Sequence, residues 1–180
     1  YTTLFRSVAA NILGHSIKEI KARRKIGDSI MGTFYVELDD DMLTAKNNPV
    51  RILPSNTRGT DFAGHAFFEG SSIRKIEDIY YFIYSSQNNH ELCYATSKYP
   101  DRDFRFGGTI ISNGDVGYQG RKPKNRVNNT GTNHGSIECI AGQWYVFYHR
   151  LTHLSDFSRQ AMAEPIQILP AGSIHQVEMT

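Results

Sequence analysis

The chain has 180 residues, of which 39% are hydrophobic and 21% are charged, and its formal net charge at pH 7 is +2. This length and composition predict one globular domain with a buried core. The small net charge argues against a dedicated nucleic-acid-binding protein, which normally has a strong basic excess. No apolar run approaches the roughly 18 residues of a membrane-spanning helix. Two local basic runs, at 17–25 and 120–126, are predicted to be solvated.

The first seven residues of the chain are not expected to belong to the fold. Residues 1–7, YTTLFRS, match the translation of a short DNA sequencing adapter and are interpreted as an artefact. Residues 8–32 have mixed helical character and are predicted to form a loop with a short helix between two structural units. We therefore treat the chain as the interior of a longer protein, which leaves a cytoplasmic and a secreted location both open.

The clearest feature of the sequence is an internal repeat. The segment GSSIRKIEDIYYFIYSS at 70–86 aligns with HGSIECIAGQWYVFYHR at 134–150, with an offset of 64 residues. Each copy predicts a β-hairpin, because a two-residue turn (residues 77–78 or 141–142) joins two strands rich in aromatic and β-branched residues. Ten Tyr, ten Phe and 15 Gly in the chain agree with many short strands and tight turns.

Further strands are predicted around these hairpins, at 32–44, 91–97, 104–112, 158–168 and 174–179. Repeated four-stranded meanders are typical of a β-propeller, which normally has 4–8 blades around a central channel. We therefore predict an all-β fold of about two to three propeller blades, with a single β-sandwich as the alternative. The predicted boundaries are a partial propeller domain at 33–180, with a blade edge at 33–44 and blades at 66–112 and 134–179.

The repeat also predicts where the chemistry lies. Glu69 and Gly70 precede the inner strand of one predicted blade, and Asn133 and His134 occupy the equivalent positions in the next. Because inner strands line the central channel of a propeller, both pairs are expected to converge on its axis. A carboxyl between aromatic residues at a channel mouth would be partly desolvated, as a general acid needs. The alternative is an ordinary surface glutamate.

Several motifs occur together in an order that resembles glycoside hydrolase family 43. They are FFEGSSIRKIEDIYYFIYSS, HELCYATS, TGTNHGSIECIAGQWYVFYHR and SRQAMAEPIQILPAGSIHQVEMT. The resemblance covers roughly residues 33–180 and implies the last blades of a five-bladed propeller that acts on arabinose- and xylose-containing plant polysaccharides. It implies an inverting glycosidase of the α-L-arabinofuranosidase or β-xylosidase type, without choosing between them.

The resemblance also implies roles for individual residues. Glu69 falls on the general acid, whereas the base and a third aspartate of the family lie upstream of residue 32. Arg159 falls on an arginine that bonds sugar hydroxyls, with a surface arginine at a strand end as the alternative. His134 falls on an axial histidine near which the family often holds Ca²⁺, and a hydrogen-bonded channel histidine is the alternative.

The positions of several other side chains predict where they lie relative to the pocket. Phe67, Phe68 and Tyr84 would form apolar walls near the sugar, unless they belong to the core. His65 and residues 89–90 would rim the pocket. The residues His149, Arg150 and His153 are predicted to lie in a loop. The two cysteines, Cys93 and Cys139, are predicted to be buried thiols rather than a disulfide.

Two functions remain open at this point. The first is a fragment of a glycosidase with Glu69 as the general acid and a carbohydrate as its substrate, with no nucleic-acid partner. The second is a non-catalytic carbohydrate-binding propeller, which would keep the pocket without an acid and a base. We expect the 180-residue chain by itself to be inactive and poorly soluble, since it lacks the predicted base.

Overall fold

The structure, a computed structural model, describes residues 33–180 apart from residues 153, 154 and 156. The chain divides after Ser55 into two units, and the predictions for 1–7 and 8–32 lie outside the described residues. In the described part of the first unit, strand β1 (Phe34–Tyr35) pairs antiparallel with β2 (Val50–Arg51).

The predicted strand over 32–44 is wrong beyond these two residues of β1. The Asp41 carboxylate accepts hydrogen bonds from the backbone N–H groups of Leu43 and Thr44, both at 2.8 Å. A side chain that bonds its own backbone two and three residues ahead folds the chain into a turn, so the strand cannot continue. Beyond β1 the segment keeps only an isolated bridge between Leu38 and Ala45.

The second unit contains two antiparallel sheets. The first sheet has four strands in sequence order: β3 (Phe67–Ile76), β4 (Ile79–Ser86), β5 (Glu91–Ser97) and β6 (Arg105–Ser112). The predicted hairpin is confirmed, because β3 pairs with β4 down to Ile76 and Ile79, with a two-residue turn between them.

The second sheet contains three strands: β7 (Gly135–Ile140), β8 (Gln143–Leu151) and β9 (Arg159–Ile166). Its hairpin turns at Ala141 and Gly142, both with positive φ, as predicted. The predicted strand over 174–179 is wrong. Its amide groups bond outside the sheet, since Val177 donates to the Ile110 carbonyl and Met179 donates to the Asp115 carboxylate, both at 2.9 Å.

One hydrophobic core joins the two sheets of this unit. It contains buried residues of the first sheet, such as Ile83, Leu92 and Ile110, and of the second, such as Ile137 and Val146. Burial of this apolar surface is the main force that fixes the sheets against each other. The inner strands β3 and β7 are consequently neighbours.

The two cysteines have different environments. Cys93 on β5 is a buried free thiol, as predicted, whereas Cys139 on β7 is free but exposed. The prediction failed for Cys139 because the tip of the second hairpin, residues 138–143, is exposed along its whole length. No helix in the described residues is long and apolar enough to cross a membrane.

Candidate active site

The inner strands β3 and β7 touch through residues that are equivalent in the repeat. Ser72 and Ser136 lie 2.8 Å apart between hydroxyl oxygens, and the Arg74 guanidinium donates to the Glu138 carboxylate at 3.2 Å. Each of these pairs is separated by 64 residues, which is the offset of the repeat. The two copies therefore lie side by side in the same register.

Glu69 and His134 meet at one end of this pair of strands. The Glu69 Oε1 atom lies 2.8 Å from the His134 Nε2 atom, within hydrogen-bonding distance. Their side chains are 41% and 35% exposed, respectively, so both are partly accessible to solvent. The predicted convergence of these positions is thus present in the structure.

The local backbone explains how Glu69 is presented. The register of β3 against β4 shifts on both sides of Glu69, between Phe67 and Glu69 and again between Glu69 and Ser72. Such bulges bend a strand and redirect its side chains, and they are common beside active sites. Gly70 follows with a φ of +65°, and a Cβ atom there would lie 2.7 Å from the His134 ring. Glycine at this position therefore allows His134 to approach the carboxyl.

The position of His149 corrects the sequence analysis. His149 and Arg150 belong to strand β8 rather than to a loop, and the His149 ring lies edge-on to the His134 ring at 5.3 Å. His153 lies outside the described residues. Burial, helped by the charges of His134 and Arg159, lowers the pKa of His149, which favours its neutral form at neutral pH.

The sequence did contain a signal for His149. The register of the second hairpin pairs Gly135 with Tyr148, and one further step along both strands places His134 opposite His149. The predicted turn at 141–142 was therefore sufficient to bring the two histidines together.

Arg159, at the start of β9, lines a cavity of about 340 Å³. The other lining residues are polar or small, apart from Leu151: Asn88, Asn89, Thr130, Gly131 and Thr132. This cavity adjoins the histidine pair, since the Thr132 hydroxyl lies 3.3 Å from the Nε2 atom of His149. Its size falls within the range of small-molecule sites, roughly 300–1,000 Å³.

The predicted aromatic residues have different environments. Tyr84 is fully buried and donates its hydroxyl hydrogen bond to the His65 carbonyl at 2.8 Å. Phe67 packs against the rings of Tyr84 and Phe82, whereas Phe68 is 44% exposed. Of the two phenylalanines before the carboxyl, Phe68 is thus the one open to a ligand.

His65, predicted at the pocket rim, forms an ion pair that the sequence analysis missed. Its Nδ1 atom lies 2.9 Å from Glu91 Oε2, and Ser86 and Asn88 donate to the same oxygen at 2.8 and 3.0 Å. Burial by itself would raise the pKa of Glu91, but the bonds from His65, Asn88 and Ser86 outweigh it and hold this pKa at about 2. The hydrogen bond that His65 donates to Glu91 raises the pKa of His65.

This ion pair holds the segment that precedes Glu69. The His65 ring also stacks on Phe106, with ring centres 4.6 Å apart, while its carbonyl accepts from Tyr84. The residue four positions before the candidate acid is therefore fixed through both its side chain and its backbone.

One side chain next to His134 carries an oxygen that is suited to a cation. The Asn133 side-chain carbonyl is buried without a hydrogen-bond partner, and an oxygen of this kind suits Ca²⁺. Among the described residues, the one group of three metal-binding side chains is His65, Glu91 and Cys93, within 4.8 Å of each other. That nitrogen, oxygen and sulfur set does not suit Ca²⁺, and hydrogen bonds already occupy its carboxylate.

Comparison with known proteins gives related sequences at substantial identity. No protein-family model matches the chain. A xylosidase/arabinosidase from Thermoclostridium stercorarium is 53% identical over 152 residues, which cover 83% of this chain and 32% of that protein. A xylosidase/arabinosidase from Bacteroides ovatus is 30% identical over 116 residues, covering 62% of this chain and 31% of the relative. The chain thus spans about a third of the length of these curated relatives.

Solved structures that resemble this chain identify its fold. A β-xylosidase/α-arabinofuranosidase of glycoside hydrolase family 43 from a compost metagenome, in a calcium-free complex with xylotriose, superposes with a TM-score of 0.63 at 26% identity. The match covers 81% of this chain and 42% of that one. A family 43 enzyme from Xanthomonas citri complexed with xylose gives a TM-score of 0.62 at 27% identity, covering 82% of this chain and 42% of that one. The fold is therefore part of a β-propeller and not a single β-sandwich.

Proposed function

We propose that this chain, which belongs to glycoside hydrolase family 43, is part of a glycosidase that hydrolyses xylose- or arabinose-containing glycans, with Glu69 as the general acid. The observation that carries the proposal is the pairing of Glu69 with His134 at 2.8 Å, where two repeat-equivalent strand ends meet. A non-catalytic carbohydrate-binding propeller is not favoured, because the curated relatives are named as enzymes.

Glu69 would act by donating its proton to the glycosidic oxygen as the bond to the leaving group breaks. The carboxylate that remains can accept a hydrogen bond from the N–H of His134 Nε2, which stabilises it and fixes its orientation. In an inverting enzyme a second carboxylate, roughly 6.5–9.5 Å from the acid, activates water on the opposite face of the sugar. We infer that this base belongs to the length of the relatives that the chain does not span.

Substrate binding is assigned to the cavity beside the histidine pair. The Arg159 guanidinium and the side-chain amides of Asn88 and Asn89 offer donors for sugar hydroxyls. Phe68 offers an exposed apolar face next to Glu69, and Phe67 supports it from the aromatic cluster. His65 contributes through its ion pair with Glu91.

A Ca²⁺ ion beside His134 is part of the proposal. The unpaired Asn133 oxygen would bind the ion directly, and the His134 ring would hydrogen-bond one of the water molecules that fill the remaining oxygen positions, since no larger group of ligands surrounds His134 in the described residues. When bound, the ion would supply positive charge at the channel axis.

The test of Glu69 uses the full-length protein encoded by the native gene. Glu69→Gln is expected to lower kcat/KM for an unactivated xylo- or arabino-oligosaccharide by roughly 10²–10⁴-fold, because a poor leaving group needs the proton. A 2,4-dinitrophenyl glycoside, whose leaving group needs little protonation, is expected to lose much less. Glu138→Gln, a carboxylate exposed on the neighbouring strand β7, is the matched control. Unchanged oligosaccharide hydrolysis by Glu69→Gln would remove Glu69 from the mechanism.

A further inference from the structure

A second cavity, of about 650 Å³, adjoins the cavity that contains Arg159. Leu151 lines both. The polar and charged lining of the second cavity consists of Lys124, Arg126, Asn128, Asn129 and Thr152. It lies in the connection between β6 and β7 and at the end of β8, so the same strand ends that carry His149 and Arg159 border it.

The described lining of the second cavity contains two cationic side chains and no acidic one. Lys124 and Arg126 are the cationic side chains of its lining. Among residues 33–180 as described, neither of these two cations takes part in an ion pair. Two unneutralised cations in a concave surface attract an anion more strongly than two isolated surface charges do.

The backbone that carries these cations is held in place. Residues Pro123–Asn125 form a 3₁₀ turn, after which the Val127 N–H donates to the Gly114 carbonyl at 3.1 Å. Gly114 has a φ of +73°, and a Cβ atom there would lie 2.8 Å from the Asn128 carbonyl. A loop packed this closely loses little further freedom when a ligand binds.

We propose that this cavity is a subsite for a carboxylate-bearing sugar, a uronic acid branch on the glycan that occupies the neighbouring cavity. A neutral pentose offers hydroxyl groups only and would not use the two cations. A uronate carboxylate matches the planar guanidinium of Arg126 in a bidentate pair, and Lys124 adds a second charge-assisted bond. The proposal rests on the proposed function, because it takes the ligand to be a branched glycan.

The experiment compares two xylo-oligosaccharides of equal length, one neutral and one with a single glucuronic acid branch, on the full-length protein. The double variant Lys124→Ala/Arg126→Ala is expected to lower kcat/KM for the acidic substrate roughly three- to tenfold and to leave the neutral substrate within about twofold. Raising the NaCl concentration to about 0.5 M should reduce the preference of the unmodified protein for the acidic over the neutral substrate. Arg126→Lys is expected to have a kcat/KM for the acidic substrate between that of the unmodified protein and that of the double variant, since lysine keeps the charge but loses the bidentate geometry.

The matched control is Lys98→Ala/Arg105→Ala, which removes two exposed cations, one directly after β5 and one at the start of β6. It is expected to change neither substrate. An equal loss on both substrates in Lys124→Ala/Arg126→Ala, or no preference for the acidic substrate in the unmodified protein, would overturn the subsite.

Calorimetric binding of the same two oligosaccharides separates this proposal from the glycosidase proposal. Tighter binding of the acidic ligand that disappears in Lys124→Ala/Arg126→Ala supports the subsite even in a protein that hydrolyses neither. Hydrolysis of the neutral substrate with equal affinity for both ligands would leave the glycosidase proposal intact and overturn the subsite.

Discussion

Each of the two sheets contains one copy of the repeated hairpin, but the two sheets differ in the residues at the end of the inner strand. The first presents Glu69 followed by Gly70, and the second presents Asn133 followed by His134. The common hairpin brings these ends together, and the different residues place the carboxyl of Glu69, the proposed general acid, against the ring of His134. Repetition thus supplies the placement of the site, while divergence at two positions supplies its chemistry.

Each sheet also buries one carboxylate on its third strand, and the partners of these carboxylates differ. Glu91 on β5 bonds to the imidazole of His65, whereas Glu164 on β9 accepts from the hydroxyl groups of Tyr148 and Thr180 at 3.1 and 2.5 Å. The charge of a buried carboxylate contributes more to stability when its partner is charged than when its hydrogen-bond donors are neutral. The two glutamates therefore provide a direct comparison of these two ways to bury an acid.

The largest expected effect on stability comes from Glu91→Gln. A pKa of about 2, against 4.5 for an ordinary glutamate, corresponds to about 3 kcal/mol of stability at neutral pH that the neutral amide would lose. Because the folded pKa is depressed, this stability is present above about pH 4.5 and is lost as the pH falls towards 2. Denaturant unfolding of the full-length protein across this range measures it.

The same comparison tests the role of the charged partner. Glu164→Gln is expected to cost less than Glu91→Gln, since a glutamine oxygen still accepts from neutral hydroxyl groups. The Glu91→Gln variant should also show a weaker loss of stability in acid than the unmodified protein. Equal costs for the two substitutions would contradict the importance of the His65–Glu91 ion pair.

The contact between the two strand ends can be broken sterically with Gly70→Ala. The added methyl group would meet the His134 ring at 2.7 Å and must displace it, so kcat/KM is expected to fall by roughly tenfold or more. Gly64→Ala is the matched control, because Gly64 also has a positive φ, of +86°, but no atom within 4 Å of the added carbon. Both variants should lose about 1 kcal/mol or more of stability from the backbone conformation.

Only Gly70→Ala is expected to lose activity beyond the effect of this destabilisation. Steady-state kinetics well below the unfolding transition of both variants makes the comparison. Equal activities would mean that the position of His134 does not matter to Glu69.

The smallest expected effect concerns the seam between β3 and β7. A double-mutant cycle of Ser72→Ala and Ser136→Ala is expected to give a coupling of about 1 kcal/mol for this partly buried hydroxyl pair. The Arg74 and Glu138 pair, two residues further along both strands, is more exposed, and its cycle should give about 0.2–0.5 kcal/mol. Absence of coupling in the serine cycle would argue against this packing of the repeat.

The ion pair between His65 and Glu91 could not be predicted from the sequence. His65 was placed at a rim on its position alone, and nothing near Glu91 in the sequence indicates an ion pair with a residue 26 positions away. That contact requires β5 to pack beside the segment before β3. The roles assigned to Glu69, Arg159 and His134 stay predictions, although the structure supplies their geometry.

Local sequence patterns were enough to predict the two hairpins, their turns and the equivalence of their strand ends, because strand periodicity and turn residues act over a few positions. It even implied the meeting of His134 with His149 through the hairpin register. Three-dimensional packing was needed to show that 174–179 leaves the sheet, that Cys139 is exposed, and that Lys124 and Arg126 line a cavity next to the one that contains Arg159. These depend on contacts between residues far apart in the chain, for which local sequence carries no signal.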